Sequence, residues 1–143
     1  MNDKPEATQT QPFDPAAHGW ERVRGHNFGE LVGPIWRRGD ALFGFVSTDK
    51  HRNHRGIVHG GMLTTFADQA MGMTGRRATG EKPHATIEIN MQFIGAVKVG
   101  DFVEAHCEIV RETRSLLFIE SKLKVGSRIV ASTSGIWKIL GGA

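Results

Sequence analysis

A single amphipathic helix in a chain that otherwise reads as strand and turn limits most strongly how these residues can fold. Over residues 60–77, Met62, Leu63, Phe66, Ala67, Ala70 and Met73 recur at the spacing of one helical face. Asp68 falls almost opposite the centre of that stripe, and Gly75 and Gly80 bracket the end of the helix. So broad an apolar stripe has to be buried, and the only partner the chain offers is the apolar face of a sheet.

The flanking segments supply that sheet. Residues 29–37 and 41–48 are β-rich runs around Arg38-Gly39-Asp40, a hairpin signal, and residues 49–56 are a polar loop. After the helix, residues 84–94 place Ile87, Ile89, Met91 and Phe93 on one face, against Glu88, Asn90 and Gln92. Residues 102–111, 116–125 and 128–140 follow, joined by short turns, as an antiparallel meander. The expected order is β-β-α-β-β-β-β: an α+β fold in which an antiparallel six-stranded sheet wraps one long central helix. The free sheet edge and the other helix face would stay exposed in a monomer, so a dimer is expected.

The chain has 143 residues, enough for one domain with a substantial core. Residues 1–18, polar and containing Pro5, Pro12 and Pro15, read as a flexible arm in which Asp14-Pro15-Ala16-Ala17 opens one helical turn; residues 19–143 form the domain. The lone Cys107 excludes an internal disulfide. With no signal-peptide pattern and no membrane-length apolar run, a cytoplasmic protein that does not enter membranes is expected. Net charge is +3; Lys4 against Asp3, Glu6 and Asp14 gives residues 1–20 a charge of −2, leaving +5 on the remainder. That excess suits nucleic acid or a phosphorylated small molecule. Nucleic acid is disfavoured, because no recognition motif or aromatic-laced basic stripe is present.

Chemistry concentrates where a polar loop enters the helix through His59-Gly60-Gly61. Helix N-termini expose unpaired N–H groups and a partial positive charge, and glycines let a ligand come close to that backbone. An oxyanion site near Gly60 and Gly61 and a plain loop-to-helix turn are both open. Asp68, a poor helix former placed mid-helix, reads as a general base or nucleophile, or as a solvated carboxylate. Gly60 and Asp68 lie about 12 Å apart along one helix axis. If they serve one carbonyl, the second must come from an antiparallel helix in a two-fold partner. His51, His54 and His59 lack a convincing fourth ligand, so no metal is expected, and His59 is expected to hold the loop backbone. Arg76, Arg77 and Lys82 after the helix, with Arg52 and Arg55 before it, are either a phosphate-binding set or an ordinary solvated rim.

Asn53, His59-Gly60-Gly61 and Asp68, followed by a β meander, resemble the hotdog-fold acyl-CoA thioesterases of the phenylacetate-degradation (4-hydroxybenzoyl-CoA thioesterase-like) type over about residues 25–140. The resemblance implies roles for particular residues. Gly60 donates its N–H to the thioester oxygen, and Asp68 activates water or attacks the carbonyl across a dimer interface. Asn53 helps place the water or the carbonyl, and Thr86 supports the carboxylate. His59, Gly61, Arg76, Arg77 and Lys82 are then expected around the acyl-CoA substrate. The resemblance also implies a homodimer, often paired into a homotetramer, with no cofactor beyond the coenzyme A of the substrate. A hotdog enoyl-thioester hydratase and a non-catalytic acyl-CoA-binding module are the rivals. The first uses a different His-acid motif, and the second has no need of Asp68.

Overall fold

The computed structural model describes residues 12–141, so the first eleven residues of the expected arm lie outside the described residues. The elements are β1 (Glu21–Arg22), α1 (Asn27–Val32), β2 (Trp36–Arg38), β3 (Leu42–Val46), α2 (Gly60–Ala78), β4 (His84–Phe93), β5 (Phe102–Glu112), β6 (Leu116–Val125) and β7 (Arg128–Ile139). All pairings are antiparallel, in the order β1-β2-β3-β5-β6-β7-β4. One long helix therefore packs on one curved sheet, as its stripe demands, and the strand that follows it, β4, forms an outer edge.

The buried face of α2 is wider than the expected stripe. Met62, Leu63, Phe66, Ala67, Ala70, Met71, Thr74 and Gly75 are buried, while Met73 is only half-buried. They meet Phe43, Phe45, Val103, Leu117, Ile119, Leu123 and Trp137 from the sheet, all at most 2% exposed. Each fully buried large side chain contributes about 1.5–3 kcal/mol of transfer free energy. One polar row crosses this interior. Cys107 pairs with Ser121 and Ser121 with Thr133, and the Cys107 thiol donates to Ser121 Oγ at 3.5 Å. Burial pushes the Cys107 thiol pKa up, so this cysteine packs as a protonated side chain.

Three details depart from the expectation. Among the described residues the sheet has seven strands, not six, because the two-residue β1 pairs with β2; so short a strand carries no periodic signal. Residues 27–32 form a helix, which overlaps the start of the strand expected over residues 29–37. Phe28, Leu31 and Val32 are spaced three and four apart, which suits a helical turn, and Gly33-Pro34 ends it. In β4 a bulge between Thr86 and Glu88 breaks the alternation. Ile89 and Met91 pack on the core, but Ile87 and Phe93 are 56% and 57% exposed on the edge strand.

The segment before β1 is packed where it is described. Asp14 Oδ1 accepts the Ala16 N–H at 3.2 Å and starts a 3-10 turn, Pro15–His18. Phe13 lies on Phe102 at 4.6 Å between centroids, and buried Trp20 meets the same ring edge-on at 5.1 Å.

The sheet is tight enough to require a missing side chain at Gly135. A Cβ there would stand 2.5 Å from Trp137 and 2.7 Å from the Glu88 carbonyl, and that backbone cannot swing aside. Gly135→Ala should destabilise the domain by about 1–3 kcal/mol through overpacking. Thermal unfolding followed by circular dichroism checks this, and an unchanged midpoint contradicts it.

Candidate active site

The loop and helix N-terminus are organised by side chains that cap backbone. Asn53 Oδ1 accepts the N–H groups of Arg55 (2.8 Å) and Ile57 (3.3 Å), closing the turn before His59. His59 is the N-cap of α2. Its Nδ1 accepts the Gly61 N–H at 2.8 Å, and its own N–H donates to the His51 carbonyl at 2.8 Å. Gly61 therefore has no N–H to offer a ligand. The Gly60 N–H has no partner among the described residues and is the donor that remains at the start of α2. The Phe93 ring lies 3.2 Å from where a Cβ on Gly60 would sit, so glycine permits that close approach.

Asp68 lies on the flank of α2, half-buried, because the helix turns its apolar face to the sheet. The Thr86 hydroxyl, on β4, donates to Asp68 Oδ1 at 2.7 Å. That bond fixes the carboxylate's orientation, and Oδ2 has no hydrogen-bond partner among the described residues. The pair forms part of the wall of a cavity of about 340 Å³. Its floor is Gln69, Gly72 and Met73 of α2 with Trp137, and its roof is α1 with Pro34 and Ile35.

The structure thus gathers Asp68, Thr86 and Arg76 at one cavity and places Asn53, His59, Gly60 and Gly61 at the helix start, about two turns away. It does not gather the three basic residues after the helix. Arg76 lines the cavity and pairs with Glu81 at 3.7 Å. Arg77 turns to the opposite flank and binds Asp40 at 3.1 Å, and Lys82 is exposed away from the cavity wall. The loop histidines do not converge on a common point. The His59 ring caps the start of α2 and the His51 ring bridges the Thr48 N–H and the Val32 carbonyl, and no metal-holding group of acidic, His or Cys residues occurs among the described residues.

His84 belongs to the site although no sequence motif singles it out. Its ring lines the cavity, and its Nε2 is 3.1 Å from Thr79 Oγ1. Burial, followed by the nearby Arg76 charge, lowers its pKa. The roof is likewise absent from the sequence reading, which has strand where α1 lies. Its signal is the helical spacing of Phe28, Leu31 and Val32 ahead of Gly33-Pro34.

A model of the thioesterase superfamily matches residues 55–132, more than half the chain, and the chain belongs to that family. It is a thioester hydrolase with the hotdog fold. The Pseudomonas aeruginosa protein named "Putative esterase PA0474" is 34% identical over 116 residues, covering 77% of this chain and 86% of its own. Among solved structures, the BH2602 protein from Bacillus halodurans, determined with CoA, is 23% identical and superposes with a TM-score of 0.73 over 82% of this chain and 78% of its own. A variant of the phenylacetic acid degradation protein PaaI from Thermus thermophilus is 21% identical, with a TM-score of 0.71 over 79% of this chain and 98% of its own. Those two likenesses establish the fold. Among the described residues, no helix is long and apolar enough to cross a membrane.

The histidines give the domain a signed pH dependence. Burial is also the main cause of the lowered pKa of His51. Both His51 and His84 therefore titrate below 6.5 when folded and near 6.5 when unfolded. The unfolded chain takes up protons first as pH falls, so stability should decline from about pH 6.5 down through the folded values. Denaturant unfolding at pH 7.5 and 5.5 measures the decline, and His84→Gln should flatten it; an identical slope in wild type and variant would remove His84 from the account.

Proposed function

We propose that the protein is an acyl-CoA thioesterase whose site is completed by a two-fold partner. The observation that carries this reading is the Asp68–Thr86 pair, 2.7 Å apart at the wall of a cavity and two helical turns from the Gly60 N–H. A single thioester carbonyl does not reach both from one chain. The outer edge of β4, with exposed Ile87 and Phe93, offers a strand and apolar contacts through which a second copy can add. Antiparallel α2 helices across that axis bring Asp68 of one chain toward Gly60 of the other. Two such dimers pair into a tetramer. CoA in the Bacillus halodurans structure supports coenzyme A as the carrier.

The acyl group occupies the cavity beneath α1. Thr86 holds Asp68 Oδ1, so Oδ2 takes the proton of a water that Asn53 helps to position. The oxygen of that water bonds to the thioester carbon, and the carbonyl oxygen takes up charge against the Gly60 N–H from across the dimer. Collapse breaks the C–S bond and releases coenzyme A as a thiolate, a leaving group that needs little protonation. The proton on Asp68 returns to solvent or to the thiolate. Nothing in these steps calls for a metal or redox cofactor. Arg76 at the cavity, with Arg52 and Arg55 in the loop, supplies positive charge for the coenzyme A phosphates. Coenzyme A thioesters as substrates would suit a cytoplasmic enzyme.

Asp68→Asn should lower kcat by about 10²–10⁴-fold, the range for removing a general base, while leaving the assembly state unchanged. Thiol release from acyl-CoA reads this, and hydrolysis at the wild-type rate would sink the mechanism. The shared site has its own test. Gly60→Pro removes the donor N–H at the first helical position, where proline fits the backbone and only the exposed Phe93 ring has to shift. Two inactive variants, Asp68→Asn and Gly60→Pro, should regain part of the activity when their subunits are exchanged, since one of the two sites in a mixed dimer is intact. No recovery after demonstrated exchange would mean that each chain works alone.

A further inference from the structure

His51 occupies a joint between the two parts of the site. It is 4% exposed, with its ring edge-on to Phe45 at 5.3 Å between centroids. Its Nδ1 accepts the Thr48 N–H at 3.0 Å, so in the neutral ring the proton sits on Nε2. Nε2 is 2.6 Å from the Val32 carbonyl at the end of α1 and donates to it. Beside it, Lys50 Nζ donates to the Gly33 carbonyl at 2.7 Å. These two contacts hold the last carbonyls of the segment whose Gly29, Glu30, Pro34 and Ile35 roof the cavity. The backbone of His51 faces the other way. Its carbonyl accepts the His59 N–H at 2.8 Å, one residue before Gly60.

We infer that His51 is a positioning residue that fixes the cavity roof relative to the Gly60 donor, and through the roof sets which acyl groups the enzyme accepts. The inference rests on the thioesterase reading. The side chain touches neither the cavity nor the reacting atoms, so its effect passes through α1. Arg22 pairs with Glu30 at 3.1 Å and the Val23 N–H donates to the Ile35 carbonyl at 2.8 Å, so His51 and Lys50 complete the ties by fixing the end of α1. Bulky acyl groups depend on the height so set and an acetyl group does not. The alternative is a brace that only helps the domain fold.

The two ring nitrogens can be removed separately. The amide of Asn reaches the Nδ1 position and keeps the Thr48 bond but not the Val32 bond; Gln reaches the Nε2 position and keeps the Val32 bond. The readout is the ratio of kcat/KM for the bulkiest acyl-CoA the wild type accepts, from a panel of straight-chain and aryl thioesters, to that for acetyl-CoA. His51→Asn should lower this ratio about tenfold, mainly through KM of the bulky substrate, as expected for loss of one buried hydrogen bond. His51→Gln should leave it within about twofold of wild type. Lys50→Met, at an exposed position, should shift it in the same direction by less, and decides the matter if His51→Asn does not fold. An unchanged ratio in folded His51→Asn, or equal ratios in the Asn and Gln variants, overturns the positioning role. Absence of wild-type turnover on every thioester instead overturns the thioesterase reading, and the inference with it.

Discussion

Burial of one face of α2 is the interaction on which the rest depends. With Phe66, Ala67, Ala70 and Met71 sealed against the sheet, a charge on this helix is tolerable only along a flank. Asp68 stands on that flank, where Thr86 from the adjoining edge strand meets its inner oxygen. The same burial fixes the start of the helix, because the sheet sets where the helix axis runs and His59 closes its first turn. The carboxylate and the backbone donor are thus held by one rigid rod, and their separation is a property of helix geometry instead of loop conformation.

That rigidity limits reach. A rod that keeps two groups about 12 Å apart cannot bring them to one atom, and the proposed assembly answers with symmetry. Two copies of the rod, laid antiparallel, place unlike ends together twice. In the proposed assembly the edge strand that supplies Thr86 also meets the neighbouring subunit, so packing at the interface and orientation of the carboxylate are linked through β4.

Much of this is legible in residue order. The period of the helix, the alternation of the last three strands and the His-Gly-Gly entry to α2 are local patterns, each readable within a dozen residues. Thr86 beside Asp68 is legible only through resemblance, since no spacing rule connects residues eighteen apart across a helix end and a turn. What cannot be read is what depends on several segments meeting. α1 reads as strand because Leu31 and Ile35 suit either period, and the side chains that hold its end, His51 and Lys50, lie some twenty residues further on. His84 gives no signal, since it owes its surroundings to the end of α2. Arg76 and Arg77 are neighbours in sequence but diverge by about 100° around the helix, which sends one to the cavity and the other to Asp40.

The row of Cys107, Ser121 and Thr133 carries a consequence for assembly. Alternation of apolar and polar residues prevents a strand from slipping by one position, since that turns every side chain over, but it is blind to a slip by two. A two-residue slip of β6 against β5 would set Ser121 opposite Ala105 or Ile109 and Cys107 opposite Ile119 or Leu123. Ser121 and Cys107 would then each face an aliphatic residue and lose the other as counterpart. Two weakly polar side chains thereby act as a proofreading mark for the meander on which the helix packs.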